Sequence, residues 1–312
     1  MSKLLVTTRP FGNKNDALKM LSDYMEDCFI YEGAVEPNKE SIIVHVTGLQ
    51  PEAIIAGTEP YDKEVLDQCK NLKIISRVGI GLDSIDLDEC KKRGIIVTNT
   101  PDAPSNAVAE LTICLMLNLL RRVIEVHYDL HGFSRWTRHI GRELKNCKVG
   151  IIGHGRIGYL VARAVNMLFV PKDNIFVNDI KFEKGYGSSI EEILKECDIV
   201  TLHIPYNKDN HHFIDRKEFE LMGNNKILIN TSRGGIVNED ALYNWLQDES
   251  NSAAVDTFVN EPYIGKLQYL SNVIFTPHLG SCTVQSRKDM EEGAAQEALN
   301  YFNNKPYNNR VI

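Results

Sequence analysis

The chain has 312 residues, 43% of them hydrophobic and 25% charged, enough to bury a large core and to form two domains. A net charge of −7 supplies no general basic field for nucleic acid or an anionic membrane surface, so a small-molecule partner is expected. Seven scattered cysteines, odd in number and without a CxxC pair, argue against both a disulfide framework and a zinc site, and no metal is expected.

The first residues, MSKLLVTTRPFG, are too poor in apolar side chains for a signal peptide, and the longest apolar run, Leu111 to Leu120, is too short to span a bilayer. A cytoplasmic enzyme is expected. From Lys3 the runs LLVTT, AIIAG, KIIS and IIVTN alternate with the amphipathic stretches DALKMLSDYME and KEVLDQC, a pattern that reads as a βαβ sheet domain. Pro101 and Pro104 precede a long helical pattern from Ser105 to about Arg122, so a domain hinge is expected near Thr100. Strands then follow near Val149, up to Asp179, and near Val200, Leu228, Val255 and Phe275, a set of six that matches a second, doubly wound sheet. Gln285 to Tyr301 is helical in pattern with no strand after it. Its return to the first domain would make the domains discontinuous, with expected bounds 1–100 plus 283–312 and 101–282.

The predicted strand ending at Ile152 runs into Gly153, His154, Gly155, Arg156, Ile157 and Gly158, then the helical YLVARAVNML. This is GxGxxG in the setting it requires. The first glycine permits the tight turn, the second lets backbone approach a pyrophosphate, the third lets helix and strand pack closely, and the helix N-terminus attracts the phosphates. Asp179 lies 24 residues past the second glycine (179 − 155), where a carboxylate accepts hydrogen bonds from a ribose and repels a 2′-phosphate. NAD is the expected cofactor.

Arg233 in NTSRGG, Glu261 in DTFVNEP and His278 in TPHLGS each follow a predicted strand and fall at the carboxyl edge of the sheet, where open α/β sheets bind ligands. Oxidising a 2-hydroxy acid needs a cation for its carboxylate and a group that exchanges the hydroxyl proton. Arginine presents a planar fork for the first, and histidine beside a carboxylate suits the second. Spacing alone does not show that the three meet.

RVGIGLDSID, NTPDAPSNAVAELT, GIIGHGRIG, LINTSRGGIVNEDAL, DTFVNEP and TPHLGSCT, in that order along nearly the whole chain, resemble motifs of the D-isomer-specific 2-hydroxyacid dehydrogenase family, of the phosphoglycerate dehydrogenase and glyoxylate/hydroxypyruvate reductase kind. The resemblance implies an α/β fold of two doubly wound domains, a flavodoxin-like substrate domain and a Rossmann NAD-binding domain. It implies Arg233, Glu261 and His278 as the catalytic arginine, carboxylate partner and acid/base. By the same resemblance the backbone at Val78 and Gly79 holds the substrate carboxylate, and Arg156 and Ile157 hold the pyrophosphate. Thr231 and Ser232 line the nicotinamide side, Asp256 meets the carboxamide, His203 and Pro205 form the adenine-side loop, and Gly280 and Ser281 the last cofactor turn. A homodimer through the helix from Ser105 is also implied.

Arg77 beside the carboxylate loop can contact an anionic second group on the substrate, so 3-phosphoglycerate or phosphohydroxypyruvate is one expected substrate pair among several 2-hydroxy and 2-oxo acids. Arg135 and Arg138 can approach a neighbouring subunit, and Trp136 reads as a packing anchor or dimer contact. Thr257 stands where the family often has valine, and SCT where it often has GST. The alternative to an enzyme is an NAD-sensing binding protein of the corepressor type.

Overall fold

The computed structural model describes residues 3–32, 37–182 and 187–312. The chain divides into two compact units, 1–104 with 281–312, and 105–280.

In the first unit five parallel strands, β1 (Leu4–Val6), β2 (Cys28–Ile30), β3 (Ala53–Ala56), β4 (Ile74–Arg77) and β5 (Ile96–Thr98), lie in the order β2-β1-β3-β4-β5. This is the 2-1-3-4-5 order of a flavodoxin-like sheet. Alternate residues serve opposite faces, as strand geometry requires. Leu4, Val6, Ile55 and Ile74 pack with Ala17 and Leu21 of α1 (Ala17–Ser22), and Leu5, Ile54 and Ile75 pack with Ile42 and Val46 of α2 (Lys39–Leu49), Val65 and Leu66 of α3 (Lys63–Gln68) and Cys90 of α4 (Leu87–Arg93). The sequence reading contains neither β2 nor α2. SIIVHVTG has the β-branched content of a strand, yet Asn38 accepts from Ser41 N at 2.9 Å and starts a helix whose Ile42 and Val46, four residues apart, reach the core.

The second unit opens with α5 (Ser105–Arg121) and α6 (Val123–Phe133). The helix expected from Ser105 to about Arg122 ends at Arg121, because Arg122 takes a left-handed backbone (φ 52°) that no α-helix continues through, and α6 after it is not in the sequence reading. The boundary falls at Ser105 rather than Thr100, and α5 packs on α7 (Arg156–Met167) within the second unit. Six parallel strands follow: β6 (Val149–Ile152), β7 (Ile175–Asn178), β8 (Ile199–Leu202), β9 (Ile227–Asn230), β10 (Ser252–Val255) and β11 (Val273–Phe275). They lie in the order β11-β10-β9-β8-β6-β7, so no strand lies beyond β7 among the described residues. The order reverses between β6 and β8, and the crevice outside the carboxyl ends of those strands is where such sheets hold a ligand.

Val149, Ile151, Ile199 and Ile229 pack with Leu115 and Met116 of α5 and Val161 and Val165 of α7 on one face. Val200, Leu202, Leu228 and Ala253 pack on the other with α8 (Ile190–Glu196), α9 (Arg216–Met222) and α10 (Glu239–Trp245). The last helix, α11 (Val284–Phe302), is capped by Thr283, whose side chain accepts from Ser286 N, and buries Met290, Ala294 and Ala298 against the first unit's sheet. Among the described residues no helix is long and apolar enough to cross a membrane.

Candidate active site

β6 delivers the glycine motif to the switch point. Gly153 has φ +94°, and a Cβ there would lie 2.5 Å from the His203 carbonyl oxygen at the end of β8. A Cβ on Gly158 would overlap the Gly153 carbonyl, so helix α7 can sit this close to the turn only without a side chain at that position. Gly155 differs from both, since a Cβ there would meet nothing within 4 Å. It caps a 12-residue helix, α7, without a side-chain hydrogen bond of its own. These features fit a dinucleotide pyrophosphate, and Arg156 and Ile157 form the first turn there.

Asp179, directly after β7, accepts from His154 N at 2.7 Å and from Lys181 N at 2.8 Å, which fixes its carboxylate beside the glycine turn. His203 N donates to Ile152 O at 2.7 Å, and its Nε2 lies 3.0 Å from Thr201 Oγ1. Burial pushes the His203 ring down to about 3, so it is neutral at physiological pH. Pro205 follows in the same loop, its carbonyl accepting from Asn210.

The carboxyl ends of the adjacent strands β9, β10 and β11 carry the other expected residues. His278 Nδ1 is 2.8 Å from Glu261 Oε2, and Phe258 N donates to Glu261 Oε1 at 2.9 Å. Burial alone would raise the Glu261 carboxyl. The hydrogen bond and charge of His278, the Phe258 N–H and the charge of Arg233 outweigh it and hold the group below its ordinary value. Arg233 is thus within electrostatic reach of Glu261, and the structure brings the three residues together.

The supports of this set lie in neighbouring loops. Asn230 accepts from Ser232 N and Oγ and donates to Arg233 O at 2.9 Å, and Thr231 Oγ1 is 2.9 Å from Thr112 Oγ1. Gly234 abuts the Phe258–Val259 backbone with no room for a Cβ, so the arginine loop and the glutamate loop are packed together. Phe258, Tyr263 and Phe275 form an aromatic cluster, with ring centroids 4.3 Å apart for the stacked Phe258–Tyr263 pair. The sequence reading misses Asn230, although an Asn two residues before a Ser at a strand end is an Asx-turn signal.

Asp256 has a structural part besides the one expected of it. Its carboxylate accepts from Thr276 Oγ1 at 2.6 Å, Leu279 N at 2.7 Å and Gly280 N at 2.9 Å, and its carbonyl accepts from His278 N. With 1% exposure and three of about four acceptor positions filled, it is chiefly the clamp that shapes the His278 loop. His278 itself is held at φ 54°, a conformation a non-glycine residue keeps only when its surroundings fix it. Gly280 is buried against Asp256, and Ser281 begins the return to the first unit.

In the first unit Arg77 ends β4 and is 9% exposed, so it is no solvated basic face. Gly79 (φ +127°) lies directly beneath its guanidinium. Val78 N donates to Ala56 O at 2.8 Å and Gly79 N to Thr100 Oγ1 at 2.7 Å, which fixes the turn that follows β4. In the second unit Trp136 is 82% exposed and therefore anchors no core of its own chain, and Arg135 stacks over Phe133 at 4.9 Å. Asp198 closes a strand end by accepting from Lys148 N at 2.7 Å.

The family model described as D-isomer specific 2-hydroxyacid dehydrogenase, NAD binding domain, matches residues 113–280. A protein of Staphylococcus saprophyticus named as a 2-hydroxyacid dehydrogenase is 37% identical over 298 residues, 92% of this chain and 93% of its own. The crystal structure of the TT0316 protein from Thermus thermophilus superposes with a TM-score of 0.88 at 30% identity, covering 99% of this chain and 100% of that one. A D-lactate dehydrogenase from Aquifex aeolicus, solved with NAD and lactic acid, gives a TM-score of 0.85 at 27% identity, covering 99% of each chain. The glycine cradle, the His278–Glu261 pair and these matches together make the chain a member of the D-isomer specific 2-hydroxyacid dehydrogenase family, NAD-dependent oxidoreductases acting on CH–OH donors.

Proposed function

We propose that the chain interconverts a small 2-oxo acid and its D-2-hydroxy acid, with Arg233, Glu261 and His278 as the catalytic residues. The observation that carries this reading is the 2.8 Å pairing of His278 Nδ1 with Glu261. It leaves Nε2 as the nitrogen that exchanges a proton with substrate. Bound NADH supplies the hydride that reaches C2. Arg233 places a fork donor on the carboxylate and the C2 oxygen, stabilising negative charge as it develops there. His278 Nε2 then delivers a proton to that oxygen, and ionised Glu261 stabilises the imidazolium beforehand.

Gly153, Gly155, Arg156, Ile157 and Gly158 are proposed to hold the pyrophosphate, Asp179 the ribose, His203 and Pro205 the adenine side, and Thr231, Ser232, Gly280 and Ser281 the nicotinamide side. The remaining acceptor position of Asp256 is proposed for the carboxamide. Arg77, with the Val78–Gly79 turn, is proposed to contact substrate. Residues 1–104 with 281–312 are assigned to substrate binding and 105–280 to NAD. Val123, Ile124, Tyr128 and Phe133 of α6, all at least half exposed, support a homodimer, which light scattering tests. Thiols at Cys69, Cys90 and Cys197, pushed by burial up to about 12, support a chain that works reduced in the cytoplasm.

The test is NADH oxidation by purified protein over a panel of 2-oxo acids, phosphohydroxypyruvate among them, with NADPH alongside. Turnover with NADH supports the reading. Tight NADH binding without turnover of any acid would contradict it and favour an NAD-sensing protein.

A further inference from the structure

Residues 256–272, the connection between β10 and β11, carry Glu261, and part of this loop is open to solvent: Val259 is 52% exposed and Ile264 90%. A carboxylate on so long and open a connection needs anchors if it is to meet His278 at one distance. Phe258 and Tyr263 supply apolar ones through their contacts with Phe275. The polar ones come from α10, which the chemistry above does not use.

Glu239, the first residue of α10, accepts from Val259 N at 2.9 Å through Oε1. The next residue, Asp240, pairs with Lys266 further along the loop at 2.8 Å, and Lys266 lies 4.4 Å over the Tyr243 ring of the same helix. The helix does not need Glu239 as a cap, since Asn238 accepts from Asp240 N and Ala241 N. Successive N–H groups of the loop are thus held by two glutamates, Phe258 N by Glu261 itself and Val259 N by Glu239. Gly234 of the arginine loop abuts the same Phe258–Val259 backbone. A bond to Val259 N therefore fixes the stretch from which the Glu261 carboxylate takes its own hydrogen bond.

We propose that Glu239 is a positioning residue for the proton transfer: its carboxylate holds Val259 N, which fixes the Phe258 N–H bonded to Glu261 Oε1 and so keeps Glu261 Oε2 on His278 Nδ1. This rests on the 2-oxo acid reduction proposed above. Glu239 acts through Glu261 and not on substrate. Without its carboxylate the loop keeps its aromatic anchors, but the Phe258 N–H and the Glu261 side chain sample several positions, and fewer molecules hold the His278–Glu261 pair. The loss falls on kcat, because the groups assigned to substrate and cofactor binding are unchanged. An acidic residue that only favoured the N-terminal end of the helix dipole would stabilise α10 and leave that pair alone.

The experiment measures kcat, KM and NADH affinity with the best 2-oxo acid for Glu239→Ala and Glu239→Gln, each in the wild-type background and in Glu261→Ala. The rate is taken per NADH-binding site, so unfolded molecules do not count. Glu239→Ala should lower kcat about five- to tenfold while KM and NADH affinity stay within about twofold. Glu239→Gln, which keeps an acceptor oxygen for Val259 N, should recover most of that loss. In Glu261→Ala the group to be positioned is gone, so adding Glu239→Ala should cost less than about twofold. An unchanged kcat, a loss by the same factor in both backgrounds, a loss confined to KM, or no recovery with Gln would overturn the proposal and leave the dehydrogenase reading standing. No turnover of any acid by the wild type would sink that reading and this role with it.

Discussion

His278 Nδ1 and Glu261 Oε2, borne on loops after neighbouring strands, lie 2.8 Å apart, and the carboxyl is held below its ordinary value. Glu261 is therefore ionised at neutral pH, and its share of stability is present above the carboxylate range and lost as pH falls through its lowered value. In Glu261→Gln the carboxylate that holds the His278 ring is gone, so kcat at neutral pH should fall by about 10- to 100-fold, measured as steady-state NADH oxidation. An unchanged kcat would remove Glu261 from the proton transfer.

The three motif glycines should fail in different ways. Gly158→Ala drives a Cβ into the Gly153 carbonyl and should cost about 1–3 kcal/mol of stability. Gly155→Val meets open space at φ −75°, so it should leave the melting temperature within a few degrees while weakening NADH binding about tenfold or more. Melting curves and NADH fluorescence titration separate the two.

Those glycines also show what sequence can reveal. A strand, GxGxxG and a helix form one local unit whose spacing dictates its geometry, so the motif is readable without coordinates. The positions of Arg233, Glu261 and His278 at strand ends are readable for the same reason, whereas their meeting depends on strand order, which is a long-range property. Asp256 illustrates the limit: its place in DTFVNEP suggests a contact with cofactor, but its three donors come from Thr276, Leu279 and Gly280, 20, 23 and 24 residues further along the chain. Helix α2 is illegible because its β-branched residues favour a strand locally and only the Asn38 cap and core burial decide otherwise.

His203, down at about 3, is neutral in the fold, while the unfolded chain takes up a proton at about 6.5. Below about 6.5 the unfolded state binds the extra proton, so this residue makes the protein less stable as pH falls toward 3. His203→Gln should flatten the decline in urea midpoint between about pH 7 and pH 5. An identical decline in the two proteins would show that the ring is not held neutral.

Thr257 is 2% exposed, and its hydroxyl is buried with no hydrogen-bond partner. Valine matches its shape without the polar atom, so Thr257→Val should stabilise the protein by about 1 kcal/mol, seen as a higher melting temperature with unchanged kcat. A lower melting temperature would mean that the hydroxyl has a partner in solution.

The central claim is that Arg233 and His278 act on substrate and do not serve cofactor binding. Steady-state NADH oxidation with the best 2-oxo acid, alongside NADH titration, tests it in His278→Ala and Arg233→Ala. Losses in kcat of about 100-fold or more with NADH affinity within about threefold of wild type are predicted. Turnover that survives both substitutions, or affinity for NADH that collapses with them, would contradict the assignment.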